Sequence, residues 1–237
     1  MRDKPSQTGN RQGACFGRHT VMRALRAAAL TGLLAVLSGC GDPPPSMDTD
    51  YAHAGCRPWA IDVASPQHME AWVEALWVLD TKDHWHDIPQ GVVGQLPDAE
   101  GWSGLRGGGG GVRLGNGHAP KEIYVRWQSL VEPQAYYWRF PVTDELRKAL
   151  VHREMAKPWY GPPRSACRSD ITIGVAPGGR TILWITGGGL PPLEIARGQA
   201  KVVPEGPDLG RFGGRYVRMD DKTKQYLEQH AIPYGSW

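Results

Sequence analysis

The sequence has no long hydrophobic run and very little phenylalanine. Its longest uncharged apolar stretch, AAALTGLLAVL at residues 27–37, has 11 residues, whereas about 20 are needed to cross a bilayer as a helix. This length excludes a membrane-spanning helix and suits the apolar core of a signal peptide. Phe occurs three times and Trp ten times. Ten tryptophans are too many for one binding site, so most of them must lie in the core.

Motifs of known catalytic and phosphate-binding sites are also missing. The glycine runs at 107–111 and 187–189 lack the G-x-x-x-x-G-K-[ST] pattern, and neither leads directly into a helix. Ser103 lies in Gly-Trp-Ser-Gly-Leu, where Leu105 replaces the second glycine of the G-x-S-x-G elbow. We therefore interpret the glycines as linker and turn residues. We predict no catalytic residue and no cofactor.

A cysteine follows the apolar stretch at a position typical of bacterial lipoproteins. Arg23 and Arg26 precede the stretch, and Leu37-Ser38-Gly39-Cys40 follows it. This order of charged start, apolar core, small residues and cysteine is similar to a lipobox. It predicts that residues 1–39 are removed as a signal peptide and that Cys40 is lipidated. The alternative is a buried cysteine at the end of a short core helix.

Two details refine the predicted signal. Met22 could begin a compact signal peptide by itself, so the true start of translation could be Met22. Gly41, not Asp, follows Cys40. An Asp at that position would favour retention in the inner membrane, so we predict the outer membrane and a periplasmic domain.

Removal of the signal leaves no excess of positive charge. The full chain carries 27 Lys and Arg against 24 Asp and Glu, a net charge of +3. Residues 1–39 hold six of these basic residues and one of the acidic ones, so the remainder has 21 against 23 and a net charge of −2. Without a basic excess, nucleic-acid binding has little support.

Cysteine is scarce, and its positions point to one disulfide. Of the four cysteines, Cys15 would be lost with the signal and Cys40 would carry lipid. Cys56 and Cys167 remain, and in an oxidising compartment two cysteines predict one disulfide. Two separate buried thiols are the alternative.

The predicted mature chain divides into a tether and one domain. Residues 40–54 contain three consecutive prolines followed by small polar residues, which is typical of an extended tether. Residues 55–237 are long enough for a single domain with a substantial core. Within that domain, residues 91–118 contain 11 glycines and predict a flexible loop.

Alternating apolar residues predict a mainly antiparallel α+β fold. Residues 58–63 predict a first strand, and residues 71–79 predict a strand buried on both faces. Two hairpins are predicted, one from residues 121–130 with 134–140 and one from 170–176 with 180–186. Residues 193–203 could pair next to the second hairpin.

The same pattern predicts two helices on this sandwich-like sheet structure. Thr143 can cap a central helix that runs through Met155, because Asp144 and Glu145 follow in its first turn. Residues 220–230 predict a short C-terminal helix.

Two stretches resemble a known family. PKEIYVRWQSLVEPQAYYWRFPV at 120–142 and IGVAPGGRTILWITGGG at 173–189, behind a lipobox, are similar to uncharacterised proteobacterial lipoproteins with a domain of unknown function. The most specific parts are Trp127 to Glu132 and Ala176 to Trp184. Some members are encoded beside type VI secretion lipase effectors, which implies an immunity role. The resemblance implies no catalytic residue.

One histidine cluster could suit a metal ion. His84 and His86 would share a face if they lie on a strand, and both imidazoles could then reach one Zn²⁺. No spaced third ligand marks such a site, and polar turn residues before Pro89 explain the cluster as well. We therefore predict no metal.

Aromatic residues give the remaining functional signal. Tyr124, Tyr137, Trp138 and Trp184 lie in the two predicted hairpins, and Arg126 and Arg139 would surround an exposed aromatic patch. Because Tyr, Trp and Arg dominate interface energetics, Tyr124, Arg126, Tyr137 and Arg139 are candidate interface residues. The alternative is that these aromatics belong to the core.

Together these features predict a membrane-anchored, non-catalytic binding domain. Its expected partners are the membrane, through the lipid on Cys40, and a protein such as a secreted lipase-type toxin. The alternatives are a metal-dependent envelope enzyme that uses His84 and His86, and a structural lipoprotein of the cell envelope.

Overall fold

The computed structural model describes residues 54–94, 96–105, 111–114, 118–158 and 160–237. The strands in these ranges are β1 (Ala60–Ala64), β2 (Ala71–Asp80), β3 (Trp85–Asp87), β4 (Val92–Val93), β5 (Val112–Arg113), β6 (Pro120–Ser129), β7 (Ala135–Pro141), β8 (Arg153–Ala156), β9 (Arg164–Cys167), β10 (Asp170–Ala176), β11 (Arg180–Thr186), β12 (Leu193–Gln199) and β13 (Lys201–Val202). The α-helices are α1 (Asp144–Val151) and α2 (Asp221–Leu227), and short 3-10 turns occur at Pro177–Gly179 and Pro207–Gly213. The predicted signal peptide, Cys40, residues 40–53 of the tether and Gly107–Gly110 lie outside the described residues.

Most of the strands form two sheets. The first sheet has the order β12-β11-β10-β1-β5, and the second has the order β13-β7-β6-β2-β3, with β4 also paired to β2. Only β1 and β10 run parallel among the described strand pairs. Strands β8 and β9 form a separate two-stranded ribbon. The predicted α+β class with mainly antiparallel sheet is confirmed.

The core lies between the two sheets and follows from strand alternation. Along β6, Ile123, Val125 and Trp127 are buried, and they belong to one apolar cluster with Ile171 and Ile173 of β10. Helix α1 adds two buried leucines to the same cluster. Each such side chain stabilises the fold by about 1.5–3 kcal/mol when it is fully buried.

Both predicted hairpins are present, but they lie in different sheets. Strands β6 and β7 pair in the second sheet, whereas β10 and β11 pair in the first. The β10–β11 turn depends on Gly178 and Gly179, which have φ values of 72° and 70°. A Cβ on Gly179 would lie 2.8 Å from the ring of Tyr136. Both the positive φ and this clash therefore exclude a side chain at Gly179.

The prediction that β2 is buried on both faces was wrong. The register of β2 against β6 shifts between Val73 and Ala75, which leaves Glu74 in a bulge. After the bulge Leu76 and Val78 face the core, and Trp77 is half-buried on the opposite face. A single extra residue changes which members of an apolar run point inward, and the sequence pattern does not mark where it occurs.

Helix α1 begins as predicted and ends four residues early. The Thr143 side chain accepts a hydrogen bond from the backbone N–H of Leu146, and the helix ends at Val151 instead of Met155. His152 has an extended backbone, and β8 then pairs with β9. This pairing satisfies the backbone groups that another helical turn would otherwise have used.

The segment after the second hairpin joins both sheets. Strand β12 pairs with β11 in the first sheet, as expected, but β13 pairs with β7 in the second. Between them the N–H of Ala200 donates to the carbonyl of Gly179 at 2.8 Å. The expectation that residues 193–203 form one strand beside the hairpin was therefore right only as far as Gln199.

The predicted disulfide is present. Cys56 and Cys167 are bonded across a sequence separation of 111 residues, with their Cα atoms 5.8 Å apart. The bond ties the start of the domain to the end of β9. None of the helices in the described ranges has the length and apolar character needed to span a bilayer.

We predict that Cys56→Ser/Cys167→Ser lowers the free energy of unfolding by about 2–5 kcal/mol, because the crosslink closes a long loop in the unfolded chain. Urea unfolding under oxidising conditions measures the difference. Addition of a reductant should destabilise the wild type to the same degree and leave the double variant unchanged. Equal stability of the two proteins in oxidising buffer would contradict the prediction.

Candidate functional site

The outer face of the second sheet carries a row of aromatic and charged residues. Alternation along β6 turns Tyr124, Arg126 and Gln128 away from the core. Tyr124 lies opposite Trp77 of β2 on one side and opposite Arg139 of β7 on the other. These pairings bring residues from three strands, distant in sequence, onto one surface.

We name Trp77, Tyr124, Tyr137 and Arg139 the aromatic ladder. The rings of Trp77 and Tyr124 stack with centroids 5.2 Å apart, and those of Tyr124 and Tyr137 with centroids 6.1 Å apart. The guanidinium carbon of Arg139 lies 5.6 Å from the centroid of Tyr124, within the range of a cation–π interaction. The ladder therefore contains three of the four candidate interface residues, together with one tryptophan that we did not predict there.

Neighbouring carboxylates fix the two ends of the ladder. Trp77 donates its indole N–H to Asp87 at 3.2 Å, and Arg139 donates to Glu122 at 2.6 Å. The three rings are half-buried, and the Arg139 side chain is 58% exposed. The result is a rigid surface that is partly open to solvent.

Arg126, the fourth candidate, does not lie on this exposed surface. Its side chain is 8% exposed, and its Nε donates to Glu74 Oε2 at 2.7 Å. Gln128 also donates to Glu74, and the backbone N–H of Asp208 donates to the same carboxylate at 2.6 Å. The C-terminal segment therefore covers this end of the sheet, which the strand pattern alone could not indicate.

The two tryptophans expected near this patch lie elsewhere. Trp184 is 5% exposed and packs with Ala64, Leu96 and Ile182 on the first sheet. Trp138 points toward the main apolar cluster. Trp184 is separated from Tyr124 because the two hairpins lie in different sheets. Trp138 lies in the same hairpin as Tyr124, but strand alternation turns it to the opposite face of β7 from Tyr137 and Arg139.

The histidine cluster is organised around a buried carboxylate. Asp80 is fully buried, its Oδ2 lies 2.8 Å from His86 Nε2, and the same oxygen lies 3.6 Å from His84 Nδ1. Its Oδ1 accepts the backbone N–H groups of Lys82 and His84. Burial opposes the charged form of Asp80, but these hydrogen bonds outweigh it and lower the pKa of the carboxyl.

This arrangement differs from the metal site considered above. His84 precedes β3 instead of lying on it, and both imidazoles contact the Asp80 carboxylate. Within the described ranges, no group of three or more His, Cys, Asp or Glu side chains could hold a metal ion. Ser103, the closest match to a nucleophile, donates its hydroxyl hydrogen to Asp98 on an exposed turn.

The two stretches that carried the family resemblance meet in the structure. Glu132, from the first stretch, accepts the Tyr136 hydroxyl at 2.7 Å and the backbone N–H of Gly178, from the second, at 2.8 Å. Burial and the hydrogen bond to Glu132 raise the pKa of Tyr136. The indole of Trp237 also donates to the Pro177 carbonyl. These contacts join the two sheets, so the motif residues have a structural role at this position.

Sequence reasoning missed Glu74 and the C-terminal segment that it holds. The one available signal was an acidic residue inside the apolar run of residues 71–79. An ionised carboxylate is costly to bury without a partner, so Glu74 in that run indicates a partner. Nothing in the sequence identifies Arg126 or Asp208 as that partner.

A family model for a protein of unknown function, DUF2931, matches residues 49–235. None of the curated proteins and none of the solved structures matches the chain. The chain belongs to the DUF2931 family.

We predict that Asp80→Asn lowers the free energy of unfolding by about 1–3 kcal/mol at pH 7, because buried hydrogen bonds to a charged group are lost. The folded-state pKa of Asp80 is lowered from its usual 3.8. Its contribution is therefore fully present above about pH 4 and is lost as the pH falls through the folded-state pKa. The difference between the two proteins should shrink in that acid range.

Urea unfolding at a series of pH values measures this difference. Asp83→Asn is the matched control, because the Asp83 side chain is 71% exposed and pairs with Lys121. A penalty for Asp80→Asn that stays constant down to pH 2 would contradict the assignment.

Proposed function

We propose that the chain is a lipid-anchored protein of the cell envelope whose sandwich domain binds a protein partner and catalyses no reaction. The observation that carries the binding role is the aromatic ladder. Its rings stack across three strands and are half-buried on the outer face of the second sheet. Rings needed only for the core would point between the sheets.

The composition of the ladder suits a protein partner. Trp, Tyr and Arg are the residues that most often dominate protein–protein binding energy. Stacking and the contacts to Asp87 and Glu122 hold these side chains in place before binding. A preorganised surface loses less conformational entropy when a partner docks, which favours tight binding from a small area.

The contacts of three carboxylates support a binding role over a catalytic one. Glu74 holds Arg126 and the C-terminal segment. Asp80 holds the turn before β3, and Glu132 holds the β10–β11 turn. Each of these groups is engaged by contacts that stabilise the fold.

The anchor is supported by the lipobox and by the disulfide. The lipobox ends at Cys40, 16 residues before Cys56. The bond between Cys56 and Cys167 suits an oxidising compartment, since structural disulfides are rare in the bacterial cytosol. We place the protein on the periplasmic face of the envelope, at the outer membrane.

The partner that we propose is a secreted lipase-type toxin, which the chain would bind and neutralise. This proposal rests on the resemblance to lipoproteins encoded beside type VI secretion lipase effectors. A structural envelope role would instead require that the ladder contact the cell wall. The experiments below separate these two outcomes.

For the anchor, we predict that mass spectrometry of the membrane fraction finds a mature chain that begins at Cys40 with a diacylglyceryl thioether and an acylated amine. Cys40→Ala should abolish both the acylation and the cleavage. Cys15→Ala should change neither, because Cys15 lies in the removed segment. An unacylated full-length chain in the cytosol would overturn the proposed location.

For the ladder, we predict that Tyr124→Ala and Tyr137→Ala each weaken partner binding by about 30-fold, the value expected when an aromatic hot spot of about 2 kcal/mol is truncated. A photo-crosslinking amino acid at position 137 in intact cells should first identify the partner. Calorimetry with that purified protein then gives the affinities.

Tyr160→Ala is the matched control for the ladder, because Tyr160 is 85% exposed and belongs to the connection between β8 and β9, not to the second sheet. It should bind the partner as the wild type does. Crosslinks from position 137 to peptidoglycan alone, or unchanged affinity in both ladder variants, would contradict the proposed interface.

A further inference from the structure

A strained segment beside the buried end of the second sheet has no role in the proposed interface. We name residues 207–218 the arginine loop. Asp208, Leu209 and Phe212 have φ values of 49°, 56° and 52°, a left-handed backbone that residues with a Cβ rarely adopt. Such strain persists only where the surroundings fix it, and it is concentrated at functional positions.

Buried groups fix both ends of the loop. At its start the N–H of Asp208 donates to Glu74, and at its end the N–H of Val217 donates to Gln128 Oε1 at 2.6 Å. Between these points the chain turns back on itself, because the N–H of Gly214 donates to the carbonyl of Arg211 at 3.0 Å. Both ends of the loop are therefore fixed by buried side chains of the second sheet, and the residues between them form a turn.

The loop displays apolar side chains to solvent. Phe212 is 75% exposed and Leu209 is 42% exposed. A single exposed apolar residue needs no explanation. Here, however, Leu209 and Phe212 lie within a stretch of four residues. Both have the unfavourable left-handed backbone described above.

Arginines follow these apolar residues in the sequence. Arg215 and Arg218 are exposed, and no Asp or Glu occurs from residue 209 to residue 219. Arg215 donates from Nε to the backbone carbonyl of Phe212 at 3.1 Å, so one guanidinium is held against the backbone of the loop at its most exposed apolar residue. The nearest carboxylate in sequence, Asp208, is within 3.6 Å of Arg126.

We propose that the arginine loop is a contact site for an anionic lipid bilayer. Phe212 and Leu209 would enter the boundary between headgroups and acyl chains, and the arginines would bind lipid phosphates. A projecting apolar tip fits a bilayer because lipids move aside, whereas a protein partner would need a pocket of matching shape. The positive charge complements the negative surface potential of anionic lipids.

This contact goes beyond the proposed function and does not depend on it. If Cys40 carries lipid, the loop would supply the second of the two signals that stable membrane attachment needs.

Vesicle binding of the chain without Cys40 tests the proposal. The protein used begins at Pro43 and includes the whole core described above. We expect this protein to sediment with vesicles of three parts phosphatidylethanolamine to one part phosphatidylglycerol, and to bind phosphatidylcholine vesicles at least tenfold more weakly. Binding should weaken as the salt concentration rises.

Single substitutions make the test specific to the loop. Phe212→Ala should weaken binding to the anionic vesicles about tenfold, and Phe212→Trp should restore it. Arg215→Gln and Arg218→Gln should each weaken it about fivefold. Tyr160→Ala should have no effect, and circular dichroism should show the same fold for every variant.

The outcomes are decisive in both directions. Absence of binding to the anionic vesicles, equal binding to both kinds of vesicle, or binding unaffected by the Phe212 and Arg substitutions would overturn the proposal. Because this protein lacks Cys40 and the assay contains no partner protein, each of those failures leaves the proposed anchor and ladder untouched. Conversely, an unlipidated Cys40 in cells would not alter the vesicle result.

Discussion

The surface of the second sheet depends on one buried ion pair. Glu74 and Arg126 have side chains that are 3% and 8% exposed, with 2.7 Å between Glu74 Oε2 and Arg126 Nε. Loss of one partner from such a pair typically costs about 3–5 kcal/mol, because an uncompensated charge remains buried. The same carboxylate also accepts Gln128 and the backbone of Asp208. A β-bulge places this acidic side chain where three separate parts of the chain can meet.

This pair divides the outer face into two regions of different character. On one side the aromatic ladder remains half-open, held by stacking and by carboxylates at its ends. On the other side the C-terminal segment lies over the sheet and turns outward into the arginine loop. The ion pair and the ladder are direct neighbours on the sheet. Arg126 of the pair lies opposite Tyr137 of the ladder in the register of β6 and β7. A local polar network thus separates a flat aromatic surface from a projecting basic one.

Alternation of residue type was sufficient to predict β1, β2, β12 and the strands of the two hairpins, but it did not predict the short strands β3, β4, β5, β8 and β9. The cap at Thr143 followed from its residue type and from the acidic residues after it. The disulfide followed from counting cysteines, since only two remained outside the predicted signal and lipidation site. Alternation failed at Glu74, where one extra residue changes which side chains of the strand face the core. It also failed where pairing between distant segments decides which structure forms. The end of α1 and the sheet change after Gln199 are examples, because β8 and β13 have partners that local pattern cannot identify.

The candidate site was harder to predict than the fold. Tyr124, Tyr137 and Arg139 follow from alternation along β6 and β7, because residues two apart share a face. Trp77 and the buried state of Arg126 do not follow from it, since they depend on how β2 and the C-terminal segment lie against that face. The sequence shows which residues of one strand share a face. It does not show which remote segment of the chain covers that face.

The passage of residues 193–202 from one sheet to the other has a consequence for how the domain opens. Because β12 and β13 are separated only by Ala200, whose N–H is bonded to the β10–β11 turn, neither sheet can separate along this side without straining the other. Proteins open in cooperative units that often coincide with such connected motifs. The amide hydrogens of both sheets near β12 and β13 should therefore exchange with solvent in one cooperative opening. The free energy of global unfolding should determine their exchange rates.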